Sequence, residues 1–369
     1  MAELTVEEIL GPEGLLARRI PGFEFRHEQM EMAEAVADAL ARHQHCLAEA
    51  GTGVGKTFAY LAAVLPHLKK RKTILSTHTI GLQDQLTEKD LPTLKAALPE
   101  APFTSAVLKG MGNYLCLQNL DGAAQLGLFD PDSARRLNEW ARQTETGDVA
   151  ELGQTLPGWQ EVCATSESCR RQRCPYYDRC FLFRAREKAA SADLVVVNHA
   201  LFFSDLLLRA VDPGLSLLPD YDVVIFDEAH HLEDVAGRCY GVEFSNYRVS
   251  YLVSRVGRLH GVDVPLAALE RLDQANRRLF DLFLDAGRDE CFLDEALELA
   301  GRGPVVEAAQ TLITELENVG TALLRAARDV PDPNARARVE GYARAARNQR
   351  EELQAIFGTP PEGPAKRCP

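Results

Sequence analysis

The sequence predicts an α/β fold: a parallel sheet carrying a phosphate-binding loop, a cysteine-rich insert within it, and an all-helical region after it. Three observations carry this expectation. A glycine loop at Glu49–Thr57 sits between a short apolar run and a helix-forming segment. Nearly continuous apolar runs at 193–199 and 222–226 suit parallel strands covered on both faces. From about Ser245 onward apolar residues recur only at helical spacing.

Composition narrows the function classes. A chain of 369 residues has room for about two or three domains. Its net charge of −13 argues against a general nucleic-acid-coating surface, though a local basic groove is compatible with it. No apolar run is long enough to span a membrane, so no membrane partner is expected. The first residues carry Glu3, Glu7, Glu8 and Glu13 and no apolar signal core, which predicts a cytoplasmic protein. In that compartment nine cysteines point to metal-binding or reactive roles rather than disulfides.

The first predicted element is a helix over Phe25–Arg42, with Ala33, Val36, Ala37 and Leu40 on one face. At its start stand Arg26 and Gln29. A glutamine upstream of a phosphate loop can read an adenine edge as donor and acceptor, and a solvated helix start is the plainer alternative. Cys46-Leu47-Ala48 reads as a short buried strand. The loop follows as Glu49, Ala50, Gly51, Thr52, Gly53, Val54, Gly55, Lys56 and Thr57, with Phe58–Leu65 as the next helix. Glycines let backbone N–H groups turn toward phosphate oxygens, and the helix N-terminus favours an anion. Lys56 would reach the terminal phosphates of ATP, and the Thr57 hydroxyl would join the coordination of Mg²⁺.

Strands are predicted at Lys72–Thr77, Ser105–Leu108, Asp193–His199 and Asp222–Phe226. The polar turn Thr77-His78-Thr79 lies where open α/β sheets bind ligands, at a strand's carboxyl end. The last strand delivers Asp227-Glu228-Ala229-His230, a DEAH-type acidic element. After a phosphate loop, Asp227 would hold Mg²⁺ through water and Glu228 would orient and deprotonate the attacking water.

Between the halves of the sheet lies the cysteine-rich insert, with Cys116, Cys163, Cys169, Cys174 and Cys180. Four thiolates can hold zinc or an iron–sulfur cluster. Residues 168–190 contain six Arg and one Lys against Asp178 and Glu187, a local net of +5. Tyr176, Tyr177, Phe181 and Phe183 are interleaved with these charges. Charge with aromatic faces suits single-stranded nucleic acid, and a solvated helix face is the alternative. Beyond it, helical stripes are predicted at Leu279, Leu282 and Phe283, at Val306, Ala309, Leu312, Ile313 and Leu316, and at Leu323, Leu324 and Ala327. The Pro- and Gly-rich tail Gly358–Pro369 is expected to be disordered.

Taken together, Glu49–Thr57, Asn113-Tyr114-Leu115-Cys116, the Cys169/Cys174/Cys180 triplet, Ala185–Ala190 leading to Val197–Ala200, and Asp227–His230 resemble the DinG branch of the XPD-like iron–sulfur DNA helicases. The resemblance covers residues 20–245 and implies a RecA-like motor domain with an inserted Fe–S domain and a helical arch. It implies ATP with Mg²⁺ at Lys56, Thr57, Asp227 and Glu228, and a [4Fe–4S] cluster on Cys116, Cys169, Cys174 and Cys180. Arg26 and Gln29 match the family's adenine-side element loosely. It further implies 5′-to-3′ movement on single-stranded or forked DNA, a nucleoid location and a role in DNA repair. Cys163 is a fifth cysteine that could compete as a ligand. The domains expected are 1–108 and 190–244 for the motor, 109–189 for the cluster insert and 245–369 for the arch-like region. A second motor domain is not seen in the sequence, so the chain reads as an N-terminal half, with a separate C-terminal motor half as a candidate partner. Two other readings remain open: an Fe–S or zinc module that grips single strands without turnover, and a P-loop ATPase with redox-sensing cysteines.

Overall fold

The computed structural model describes residues 4–51, 53–126, 131–153, 156, 158–284, 297–298 and 301–358. The chain divides into two compact units, Met1–Gly110 with Phe183–Tyr240, and Met111–Leu182 with Gly241–Pro369.

The first unit is built on four parallel strands: β1 (Thr73–Thr77), β2 (Ser105–Val107), β3 (Leu194–Asn198) and β4 (Val223–Phe226). Their order is β2-β3-β1-β4, with Ile74 opposite Val195 on one side and Val224 on the other. Strand periodicity explains the continuous apolar runs. Leu75, Leu194 and Val196 pack into one core with Leu61 and Val64, while Ile74, Val195 and Val197 pack into another with Phe202. With both faces covered, neither set of alternate residues is free to be polar. A parallel sheet flanked by helices in this way is consistent with the RecA-like α/β fold.

The first predicted helix is present as His27–Arg42 and begins after an extended Arg26. Cys46-Leu47-Ala48, by contrast, does not form the expected buried strand. Residues 44–50 have no regular structure, Cys46 is exposed and Leu47 is 94% exposed. Strand formation by so short a run depends on a neighbouring strand, and no described strand pairs with it.

The second unit is helical, with its main core on Asn246–Val256, Leu266–Leu284, Arg302–Ala326 and Pro333–Phe357. On Arg302–Ala326 the buried stripe runs Val305, Ala309, Leu312, Leu316, Val319 and Leu323, at i, i+3 and i+4 spacing. Two residues assigned to this stripe from sequence are therefore misplaced: Val306 is 42% and Leu324 is 53% exposed. Each follows a buried stripe position by one residue, which turns it about 100° around the helix toward water. Asp332 caps Pro333–Phe357 by accepting the backbone N–H groups of Asn334 and Ala335 at 2.8 and 2.7 Å. The tail expected to be disordered lies, from residue 359 on, outside the described residues. Among the described residues no helix is long and apolar enough to cross a membrane.

Candidate functional site

In the first unit, chemistry-bearing residues meet beyond the carboxyl ends of β1 and β4. Gly53 and Gly55 have φ of +85° and +87°, conformations that favour glycine. Gly55 caps the helix Lys56–Val64 and leads straight into Lys56 and Thr57. Gln29 is buried behind this loop, and its Nε2 donates to the Gly55 carbonyl at 2.8 Å. Arg26 stands 3.8 Å from Glu24 on the surface. Glu49, Gly51 and Gly53 are exposed, and Ala50 and Val54 are half-buried. Thr52 lies outside the described residues.

The acidic element reaches the loop from β4. The Asp227 N–H donates to the Ser76 carbonyl at 2.8 Å, extending the β1–β4 ladder by one residue. Glu228 then adopts a left-handed conformation at φ +58°. Lys56 Nζ lies 2.8 Å from Glu228 Oε1. Tyr60 is buried, and its hydroxyl stands 3.4 Å from Asp227 Oδ2 and beside the Thr57 side chain. Thr57 and Asp227, the two groups expected around Mg²⁺, thus share one neighbour.

This environment separates the two acids. Burial, reinforced by Glu228, raises the Asp227 pKa, whereas the hydrogen bond from Lys56 lowers that of Glu228. Histidines surround them. His78 stacks on His231 with ring centroids 3.7 Å apart, and the fully buried His199 hydrogen-bonds Ser76 Oγ through Nδ1 at 2.7 Å. Burial, with His78 nearby, pushes His199 down to about 4. Sequence reasoning gave Tyr60, His199 and His231 no role at this site. Helical periodicity could have found Tyr60, which lies one turn after Lys56 on the same face.

The cysteine-rich insert belongs to the second unit. Cys116 caps the helix Leu117–Gln125, and its N–H donates to the Val162 carbonyl at 2.7 Å. Burial, with Cys174 and Cys180 adding to it, pushes the Cys116 thiol up to about 12. Burial and Cys169 likewise raise Cys174. Cys116 thus feels Cys174 and Cys180, and Cys174 feels Cys169; by the chemistry of the donor set, four thiols fit a thiolate-held cluster. Among the described residues, however, no three His, Cys, Asp or Glu side chains are arranged to hold a metal ion. Cys163 is buried and its backbone bridges that of Leu115, next to Cys116; burial, followed by Glu161, raises its thiol to about 11. Arg170, Arg171, Arg173 and Arg179 are exposed, with Tyr176 and Tyr177 half-buried between them. Phe181, by contrast, is buried and packs against Gly147. Arg184, Arg186 and Lys188 fall in the first unit, where Arg186 lies over the Phe183 ring at 5.3 Å.

Comparison with known proteins agrees with this arrangement. Residues 142–249 match the DEAD_2 family model, and residues 22–108 match that of the type III restriction enzyme res subunit. The ATP-dependent DNA helicase YoaA of Escherichia coli (strain K12) is 43% identical over 242 residues, covering 64% of this chain and 37% of that protein. The 3'-5' exonuclease DinG of Bacillus subtilis (strain 168) is 34% identical over 283 residues, 74% of this chain and 30% of that one. The ATP-dependent helicase DinG of Mycobacterium tuberculosis (strain ATCC 25618 / H37Rv) is 35% identical over 298 residues, 73% and 43% respectively. The chain spans less than half the length of each of these relatives.

Proposed function

We propose that this chain, similar to the YoaA and DinG proteins over part of their length, is part of a DinG-like ATP-dependent DNA helicase moving 5′ to 3′ on single-stranded or forked DNA. The observation that carries this reading is the meeting of Lys56, Asp227 and Glu228 at the strand ends. Lys56 and the loop backbone hold the phosphates, Glu228 takes the water's proton, and Tyr60 orients Asp227. Thr57 and Asp227 are the residues to hold Mg²⁺, which when bound neutralises charge on the phosphates. Gln29 and Arg26 stand on the adenine side.

Cys116, Cys169, Cys174 and Cys180 are the proposed ligands of a [4Fe–4S] cluster, whose contribution is to tie distant segments of the insert together. The exposed Arg170, Arg171, Arg173 and Arg179 contact DNA phosphates. In this reading residues 1–108 and 190–244 form the motor, 109–189 the cluster insert and 245–369 the arch-like region, on a nucleoid-associated protein serving DNA repair. An arginine supplied in trans is worth about 10³–10⁵ in rate in related NTPases, so residues 1–369 by themselves are expected to bind ATP and hydrolyse it slowly.

The test is anaerobic purification with iron, sulfide and zinc analysis, followed by ATP and single-strand binding. Cys116→Ser should lose iron and Cys163→Ser should keep it. Stoichiometric zinc without iron would sink the cluster, and unaltered strand binding after charge reversal at Arg170, Arg171 and Arg173 would remove those residues from the DNA path.

A further inference from the structure

We infer that a cleft in the second unit receives one unstacked base of a DNA strand. The cleft has a volume of about 310 Å³, at the lower end of the range for small-ligand sites, ~300–1,000 Å³. Three tyrosines line it: Tyr247, Tyr251 and Tyr342.

Two of these rings are held in place from behind. Glu161 is 1% exposed, and it accepts hydrogen bonds from the hydroxyls of Tyr251 and Tyr342, the latter at 2.7 Å. Arg255 Nε approaches the same carboxylate at 2.8 Å, and the buried Arg338 pairs with its other oxygen. One buried acid thus fixes two aromatic rings and two guanidinium groups, and such a site needs little reordering when it is filled. Tyr247 is 62% exposed, and its ring lies 6.1 Å from that of Tyr251 at 34°.

The polar lining selects the occupant. Asn119, Gln160 and Gln349 bring three amides to the cleft. Asn119 Oδ1 and Gln349 Oε1 are buried without a hydrogen-bond partner. Asn119 Nδ2 already donates to the Cys163 carbonyl and to Ser168 Oγ at 2.6 and 2.9 Å, so Asn119 offers an acceptor, while the exposed Gln160 amide offers a donor and an acceptor side by side, the combination that pairs with a base edge. Ring faces for stacking, with amides for an edge, describe a nucleobase. A bare phosphate would leave the rings unused, and a wholly apolar ligand would leave the amides unpaired. Arg248 and Arg338 against Glu161 and Glu167 leave the charged lining balanced, so the rings and amides rather than net charge carry the assignment.

The inference rests on the proposed binding of single strands, and its test separates the two. Fluorescence anisotropy with a labelled oligothymidylate is measured across a salt series for the wild-type chain, Tyr247→Ala, Tyr247→Phe and Gln160→Ala. Losing one base stack should weaken Tyr247→Ala by about five- to a hundredfold. The salt slope should not change, because no phosphate contact is removed. Tyr247→Phe should bind as the wild type does, and Gln160→Ala should weaken binding at every salt concentration. A 5-iodouracil substituted into the strand should crosslink to Tyr247. Tyr247→Ala binding as tightly as wild type would overturn the cleft while leaving the arginine contacts standing. Binding of free dTMP as tight as that of the strand would make the occupant a mononucleotide and overturn the strand assignment. A wild-type chain that binds no oligothymidylate even at low salt would remove the strand-binding reading and this inference together.

Discussion

Lys56 Nζ and Glu228 Oε1 are 2.8 Å apart although 172 positions separate them in sequence. The pair is only partly screened from water, with side-chain exposures of 26% and 32%. Its effect is to lower the Glu228 pKa and so hold that carboxylate ionised; in the proposed reading it also keeps the loop's ammonium near the place a terminal phosphate would take. A triphosphate and Glu228 therefore compete for one cation.

That competition gives a pair of opposed expectations. Lys56→Ala removes a charged hydrogen bond to phosphate and should weaken nucleotide binding by about 1–3 kcal/mol. Glu228→Gln releases Lys56 from its partner and should leave nucleotide binding equal to or tighter than wild type, while slowing hydrolysis. Titration calorimetry with a slowly hydrolysed ATP analogue reads both. Equal affinity in wild type and Lys56→Ala would count against the phosphate-loop assignment.

The buried His199 makes stability depend on pH. In the folded chain its imidazole stays neutral down to about 4, against an ordinary value of 6.5. Between those values the unfolded chain binds the extra proton, so stability rises with pH. The contribution is complete above the ordinary value and is lost as pH falls toward the folded one, amounting to about 3 kcal/mol. His78, His231, Ser76 and the backbone of Asp227 and Glu228 surround the ring, and none supplies a charge that would hold the imidazolium. Urea midpoints measured across this window should fall steeply toward acid for wild type and more gently for His199→Gln. Parallel curves would place the acid sensitivity elsewhere.

At Gly55 two constraints coincide. Its φ is +87°, and an added Cβ would lie 2.3 Å from Gln29 Nε2. The conformation alone costs a non-glycine residue about 1–2 kcal/mol. Gly55→Ala should therefore lower stability and loosen the loop. Adding Gln29→Ala relieves the contact but not the backbone strain, and it removes the residue proposed on the adenine side, so stability should recover only in part and nucleotide affinity should stay low. Thermal melts and nucleotide titrations of both variants decide this; full recovery of stability in the double variant would assign the whole effect to the side-chain contact.

What the sequence made legible was local. β-branched runs located the strands, because a strand covered on both faces must be apolar at successive positions. The three-residue run at Cys46–Ala48 misled for the same reason: apolar character without a pairing partner is not a strand. Val306 and Leu324 misled because consecutive apolar residues on a helix leave the buried face ambiguous by one position. The long-range pairings left no local mark. Motifs put Lys56 and Glu228 at one expected nucleotide site but not in contact, and nothing in the sequence marks Glu161. Glu161 is buried beneath partners 90 to 181 positions away. Burial of an acid is decided by what the rest of the chain packs over it.

Glu161 gives the last expectation. Its partners Arg255, Tyr251, Arg338 and Tyr342 all lie on helices of the region after residue 241, whereas Glu161 lies in the insert. The second unit is thus joined internally through one carboxylate. Glu161→Ala would leave Arg338, only 7% exposed, as an uncompensated buried charge. Breaking a buried pair in this way costs about 3–5 kcal/mol. Removing the charge on both sides, as in Glu161→Leu with Arg338→Leu, should recover much of that loss, because two well-packed apolar groups replace a pair whose desolvation opposed its attraction. Limited proteolysis should accordingly open residues 111–182 in Glu161→Ala and protect them again in the double variant. Nucleotide binding by Lys56 and its neighbours in the first unit should remain in both. Equal protection of wild type and Glu161→Ala would show that the apolar core, rather than this carboxylate, holds the insert to the helices.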